Sequence, residues 1–320
     1  MILPKKEVLK LRAFFDSAVE SRYKTEEELR AITVNYCIAL IPVIAAGCYA
    51  FGFNAFKVLL ASVVSCVASE YIYQKLIKLP VTVMDGTSLL TGLLLGLCLP
   101  SEVPLYIPIL GGMFATIVVV QLFGGYGFHI INPALVSRCF LLISFHGAMT
   151  DYTIDGMTTA TPLTIIRNGG TPDLQQMIIF NEQAGCIGEA SVLALIIGAL
   201  FLLAARKISV ITPVIFLTVF TAVIVLFSGD NLSMNYVLAH IFGGGVIFAA
   251  FFFATDRVTS PVGSWGKVVY GVLLGAITGI YRIVGTKTES VSYAVIFCNL
   301  LVPLIDKYFA PKALPEKEEA

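Results

Sequence analysis

The sequence predicts an all-α polytopic membrane protein of about ten transmembrane helices, arranged as two inverted five-helix repeats with interrupted helices. Three observations predict it. Of 320 residues, 57% are apolar and 13% charged, with a mean hydropathy of +0.87, whereas a soluble domain carries about 25% charged residues. Apolar runs near the ~20 residues that span a bilayer recur along the chain. The lysines and arginines fall on alternate connections between those runs, and a cut after the fifth run leaves five on each side.

The ten apolar segments are 32–53, 56–77, 87–99, 104–122, 132–145, 187–205, 211–227, 235–254, 267–284 and 290–308. Segments 87–99 and 132–145 are short, and the former is interrupted by glycines and closed by Pro100. Residues 1–31 are charged and amphipathic, which predicts a helix lying in the interface. No early apolar core precedes a cleavage site there, so no cleavable signal peptide is expected. The division that follows is a first repeat at 32–145, an extramembrane loop at 146–186, a second repeat at 187–308 and a disordered, polar tail at 309–320.

Charge sets the orientation. With the N-terminus inside, sixteen of the 21 basic residues fall on inner segments: seven from Lys5 to Arg30, then Lys75, Lys78, Arg206, Lys207, Arg257, Lys267, Lys307, Lys312 and Lys317. Three fall outside (Arg167, Arg282, Lys287), with Lys57 at a border and Arg138 within the membrane. This bias predicts cytoplasmic termini and an external 146–186 loop. The net charge is zero, and nothing suggests a nucleic-acid partner; membrane lipid is the expected surroundings.

Five spans per half means that the halves insert with opposite topology. Weak similarity links "TGLLLGLCLPSEVP" in the third span with "GGVIFAAFFFATDRVTSP" in the eighth, and "FHIINPALVSRCF" with "FCNLLVPLID". Inverted repeats with broken helices place a polar site near the midplane. Taken alone, that architecture suggests a transporter or channel. The seven cysteines form no CxxC pair, so no metal or iron–sulfur centre of this chain's own is expected, and His146 and His240 read as structural.

The loop "DGMTTATPLTIIRNGG", from Asp155 to Gly170, is too polar to span. Asp155–Gly156 signals a turn. Thr161 before Pro162 predicts a helix N-cap followed by proline at the first helical position, and "NGG" stops the helix. Proline holds the residue before it extended, and free N–H groups at a helix start favour phosphate. An ordinary capped surface helix fits the same local pattern.

The run Asp155-Gly-Met-Thr158-Thr-Ala160-Thr161 resembles the flavin-attachment motif Asp-Gly-x-(Ser/Thr)-Gly-Ala-Thr of the NqrB/RnfD family, with Thr159 where the pattern has glycine. "DGTSLLTGLLLGLCLP", "FGGYGFHIINPAL" and "FAAFFFATDRVTSP" match in the family's order. The short N-terminus is most similar to the RnfD branch, the D subunits of Rnf complexes. The resemblance implies a urea-transporter-like inverted repeat, with FMN covalently bound by a phosphoester on Thr161 and installed by a flavin transferase outside the membrane. Asp155, Gly156, Thr158 and Ala160 complete that motif. It also implies non-covalent riboflavin beside Asn132, with Arg138 a second candidate contact, and partnership with the A, B, C, E and G subunits of an Rnf complex. The implied activity is electron transfer between ferredoxin and NAD coupled to Na⁺ or H⁺ movement. An NqrB-type subunit of a Na⁺-translocating quinone reductase is the alternative, then a solute channel without redox role.

Physically, the Asn132 amide can donate and accept at a flavin edge, or cap the helix that begins with Pro133. Arg138 lies inside an apolar segment, where a charge has a partner or a function; stabilising a reduced flavin and pairing with Glu70 are the two readings. Asp85 and Asp256 flank interrupted segments and are ion-path candidates or caps. No Gly-x-Gly-x-x-Gly nucleotide fingerprint is present, so NAD binding is not expected of this chain.

Overall fold

The computed structural model describes residues 26–150, 153–154, 157–158, 161–168, 170, 172–179, 185–228, 233–284 and 290–309. The expected interfacial helix of 1–31, up to residue 25, and the tail from 310 lie outside them. The described chain is helical, with one two-stranded ribbon in the loop.

Helix α1 (Glu26–Ile77) would be ~78 Å long if straight, more than twice the ~30 Å hydrocarbon core. It is not straight: Gly52 breaks it at φ 66°, ψ −156°, a conformation open to glycine alone. The two arms run antiparallel. Gly86 packs on Thr33, while Ser88, two residues on, donates to Glu70; Thr33 and Glu70 stand on opposite arms at nearly equal distance from Gly52. The apolar segments 32–53 and 56–77 are therefore the two arms of a hairpin.

Helix α2 (Thr87–Leu97) follows a 3₁₀ turn at Val83–Asp85 and is half a membrane long. Helix α3 (Tyr106–Met113) continues as a π-helical stretch, Phe114–Val120, and a 3₁₀ turn, Gln121–Phe123. Asn132 caps α4 (Pro133–Ser144), and α5 is His146–Thr150. In the loop, β1 (Thr153–Ile154) pairs antiparallel with β2 (Met157–Thr158), and α6 (Pro162–Arg167) and α7 (Leu174–Ile179) follow. The second half contains α8 (Val192–Ala204) and α9 (Ile211–Phe227). Next come α10 (Met234–Phe242) and α11 (Val246–Phe248), which runs on as π-helical Ala249–Phe253. Helices α12 (Ser264–Val284) and α13 (Ser290–Phe309) close it.

Each apolar segment contains a helix. By length and apolarity, four helices among the described residues qualify as membrane spans, or five if α10 and the Val246–Phe253 helix, bent by 55°, count as one. The protein is a multi-pass membrane protein whose remaining helices are short.

Small residues let the helices approach. Gly271, Gly275 and Gly279 lie on one stripe of α12 against Ile215, Phe216 and Val223 of α9. In the first half, Gly111 and Gly112 of α3 do the same, Gly112 seating on Ser65 and Cys66 of α1.

Two turns on one face of the molecule share an uncommon feature. After α1 and after α8 the chain closes with the residue past the helix in the left-handed region: Lys78 at φ 60° and Arg206 at φ 53°. In each, the next N–H reaches back five residues, Leu79 to Gln74 (2.8 Å) and Lys207 to Leu202 (3.0 Å). That is a Schellman closure, in which glycine is the usual residue.

Candidate functional site

The loop helix is built as its sequence predicts. Thr161 is extended (φ −64°, ψ 152°), with Pro162 at the first helical position. Its Oγ1 accepts from the Thr164 N–H at 3.3 Å and shares a hydrogen bond with Thr164 Oγ1 at 2.8 Å. The Thr161 side chain is thus half-buried and its hydroxyl tied within its own turn among the described residues. Asp155, Gly156, Thr159 and Ala160 lie outside the described residues, and for Thr158 only the backbone pairing in β2 is described.

What lies beneath α6 was not legible in the sequence. Leu163, one residue past the cap-proline pair, is buried against Gly243 and Gly244, with Met177 of α7 beside it. Those glycines form the break between α10 and α11; Gly244 (φ 63°) and Gly245 (φ 69°) turn the chain. The break strips the last carbonyls of α10 of helical partners. Arg282 supplies donors instead: Nη1 reaches the carbonyls of His240 (3.5 Å) and Gly243 (3.3 Å), Nη2 that of Gly244 (3.2 Å), and Nε the Ser290 hydroxyl (3.1 Å). Its guanidinium also lies 5.7 Å from the Phe220 ring centroid.

Two small cavities lie along a common axis, each lined by α2, α4 and the α11 stretch. The one nearer the loop is bordered by Arg138, Cys186, Glu189, Gly244, Gly245 and Ser292. There Arg138 Nη1 donates to Ser292 Oγ (3.1 Å) and Nη2 to Cys186 Sγ (3.2 Å). The second, toward the Lys78 and Arg206 turns, is bordered by Thr33, Tyr36, Thr91, Tyr126, Asn132, Asp256 and Arg257. Asn132 Oδ1 accepts from the N–H groups of Ala134 (3.1 Å) and Leu135 (3.3 Å), and its amide nitrogen donates to Asp256 Oδ2 at 3.4 Å. Asp256 also accepts from Thr259 Oγ1 (3.0 Å) and Val258 N–H (3.3 Å), so it caps the turn after α11.

Asn132 and Arg138 therefore open on separate cavities, while Asn132 and Asp256 are brought together. Each cavity measures ≈ 20 Å³, space for about one water. As folded, the residues around Asn132 do not accommodate an isoalloxazine ring.

Of the two readings of Arg138, the pair with Glu70 is not formed. Glu70, 1% exposed, accepts from Ser88 Oγ (2.5 Å), Gln74 Nε2 (3.1 Å), Gln121 Nε2 (3.1 Å) and Thr82 Oγ1 (3.2 Å). Four neutral donors satisfy the carboxylate on α1, and Arg138 lies near the other face. Asp85 sits half-buried in the 3₁₀ turn close by, its N–H donating to Thr82 (2.9 Å). Sequence reasoning passed over Glu70, Glu189 and Arg282 as site residues. The available signal was charge within or bordering apolar segments.

The model of the NQR2, RnfD, RnfE family matches residues 18–314. The chain is 39% identical over 293 residues to the D subunit of the Na(+)-translocating ferredoxin:NAD(+) oxidoreductase complex of Acetobacterium woodii, covering 89% of this chain and 90% of that one. It is 32% identical to the proton-translocating counterpart of Clostridium ljungdahlii, covering 90% and 92%. To the D subunit of the ion-translocating oxidoreductase complex of Stutzerimonas stutzeri it is also 32% identical, covering 88% and 91%. A match along nearly the whole chain, helices and loop alike, settles its kinship: the chain belongs to the NQR2, RnfD, RnfE family.

Proposed function

We propose that this chain is the flavin-carrying membrane component, the D subunit, of an Rnf-type complex that couples electron transfer between ferredoxin and NAD to Na⁺ or H⁺ translocation. Its relatives carry that activity in their names, two with ferredoxin and NAD and one with each coupling ion. The observation that carries the flavin part is the presentation of Thr161: an extended, half-buried threonine whose hydroxyl caps α6. FMN held there by a phosphoester would supply single-electron transfer, at a potential tuned by the surrounding charge and burial. The chain's part is to hold that loop helix, through Leu163, over the Gly243–Gly245 break and Arg282.

The ten-span, inverted-repeat reading is supported by the antiparallel arms of α1 and by the parallel use of glycine in α3 on α1 and α12 on α9. Orientation, with termini cytoplasmic and Thr161 outside, rests on the basic-residue bias. Asp155, Gly156, Thr158 and Ala160 serve recognition by a flavin transferase, and the A, B, C, E and G subunits complete the complex. Riboflavin beside Asn132 is the second cofactor, admitted by side-chain rearrangement, with Arg138 acting from the other cavity. Asp85 and Asp256, both near the basic face, remain the candidates for the ion path.

The test is mass spectrometry of tryptic peptide 139–167 from cells with an active transferase. An FMN adduct on Thr161, lost in Thr161→Val, is expected. An unmodified wild-type peptide, or an adduct on Thr158 or Thr159, overturns the assignment.

A further inference from the structure

The largest cavity among those described lies away from the flavin loop and the axial cavities. It measures ≈ 500 Å³ and is walled by the α8–α9 turn and the segment joining α11 to α12. Arg206, Lys207, Arg257 and Lys267 line it. Among the described residues two carboxylates oppose these four cations: Glu28, which bridges Arg257 at 2.8 Å, and Asp306 behind the wall, which accepts from the Val262 N–H at 3.1 Å and attracts Lys267. Ser209, Thr212 and Ser260 add hydroxyls. Helix α9 starts at this cavity; Ser209 Oγ accepts from the Ile211 N–H at 3.4 Å, and the positive end of the 17-residue helix faces the cavity. Arg206 reaches this wall from a left-handed backbone, a conformation disfavoured for any residue with a Cβ.

Three features fix the class of ligand. The cations and hydroxyls suit phosphate oxygens, and ≈ 500 Å³ suits a headgroup and glycerol rather than a bare ion. The surface beside the cavity is apolar and exposed: Val210 (54%), Val214 (53%) and Val262 (40%), with Trp265, the chain's single tryptophan, at 72%. An exposed tryptophan next to basic residues marks the headgroup level of a membrane protein. We propose that this cavity binds the headgroup of an anionic phospholipid, its phosphate held by Arg206, Lys207 and Lys267 and its acyl chains laid along Val210, Val214 and Trp265. Basic pockets between spanning helices bind anionic headgroups in this way. The site is independent of the flavin reading.

The experiment uses the full chain, purified in detergent and delipidated. Phosphatidylglycerol, phosphatidylcholine or inorganic phosphate is added and bound ligand counted by native mass spectrometry. One saturable phosphatidylglycerol is expected, with phosphatidylcholine much weaker and millimolar phosphate unable to displace it. Arg206→Gln/Lys207→Gln/Lys267→Gln should weaken phosphatidylglycerol roughly a hundredfold, about fivefold per charge. Lys75→Gln/Lys78→Gln, elsewhere on the same face, should leave that site unchanged. Arg206→Gly guards against misfolding: glycine suits the left-handed position, so without lipid it should melt no lower than wild type yet bind about fivefold more weakly. Wild-type affinity in the triple variant or in Arg206→Gly overturns the proposal. So does equal loss in the Lys75/Lys78 control, displacement by free phosphate, or an acidic segment of a neighbouring protein cross-linked into the cavity of the assembled complex.

Discussion

The two axial cavities are lined by the same three elements, and each holds one guanidinium and one carboxylate: Arg138 with Glu189 on the loop side, Arg257 with Asp256 on the other. But α4 gives a guanidinium to the first and the amide at its cap to the second. The loop-side cavity centres on a guanidinium, Arg138, that donates to Ser292 and Cys186, with the Arg282-braced glycine break at its edge. The other centres on a carboxylate, Asp256, that accepts from Asn132, Thr259 and Val258. Six residues of α4 separate Asn132 from Arg138, so one short helix serves both. The difference teaches that one short helix reaches two sites separately: Arg138 brings a charged donor to the loop side, and Asn132 brings an amide bonded to Asp256 on the far side.

The strongest way to break this arrangement is Gly244→Val. A β-branched residue at φ 63° is strained, and its Cβ would collide with Leu163 and the Arg282 guanidinium. A destabilisation of at least ~2 kcal/mol is expected, with covalent flavin strongly reduced because the loop helix loses its seat. Thermal unfolding together with in-gel flavin fluorescence checks this; full fluorescence would detach the loop from the break.

Next in size, Asn132→Ala removes the cap of α4 and should cost about 1 kcal/mol, lowering riboflavin content while FMN stays attached. Arg138→Leu sharpens the comparison. Because Arg138 opens on the other cavity, riboflavin occupancy should hold while a flavin potential shifts, read by redox titration of the purified complex. Equal riboflavin loss in both variants would merge the two cavities into one site.

The smallest effect is reserved for Thr164→Val. It deletes the hydroxyl that shares a hydrogen bond with Thr161 but leaves the Thr164 N–H to be capped. Flavinylation should persist and stability change by less than ~1 kcal/mol. Complete loss of flavin would give Thr164 a role in the attachment itself.

Local signals were legible where the chain speaks to its own neighbours. Thr161–Pro162 and Asn132–Pro133 announced two helix starts, because cap and proline act within one turn. Contacts over long sequence distances were not legible. The spacing of Arg138 and Glu70 left their pairing open, yet Glu70 is satisfied by Gln121 and three closer donors, and nothing local foretold that. Likewise the seating of Leu163 on glycines some eighty residues away follows from tertiary packing alone. The π-helical stretches at Phe114–Val120 and Ala249–Phe253 carry no side-chain signature that distinguishes them from ordinary helix.

The left-handed Lys78 and Arg206 have a consequence for biogenesis. Glycine at either turn would relax the backbone by roughly 1 kcal/mol, yet each replacement would erase a positive charge close to the end of a nascent span. During insertion such charges decide which side a connection stays on, before any tertiary contact exists to correct an error. Under the proposed orientation, the strain at these two turns is the cost of keeping a positive charge where insertion reads it.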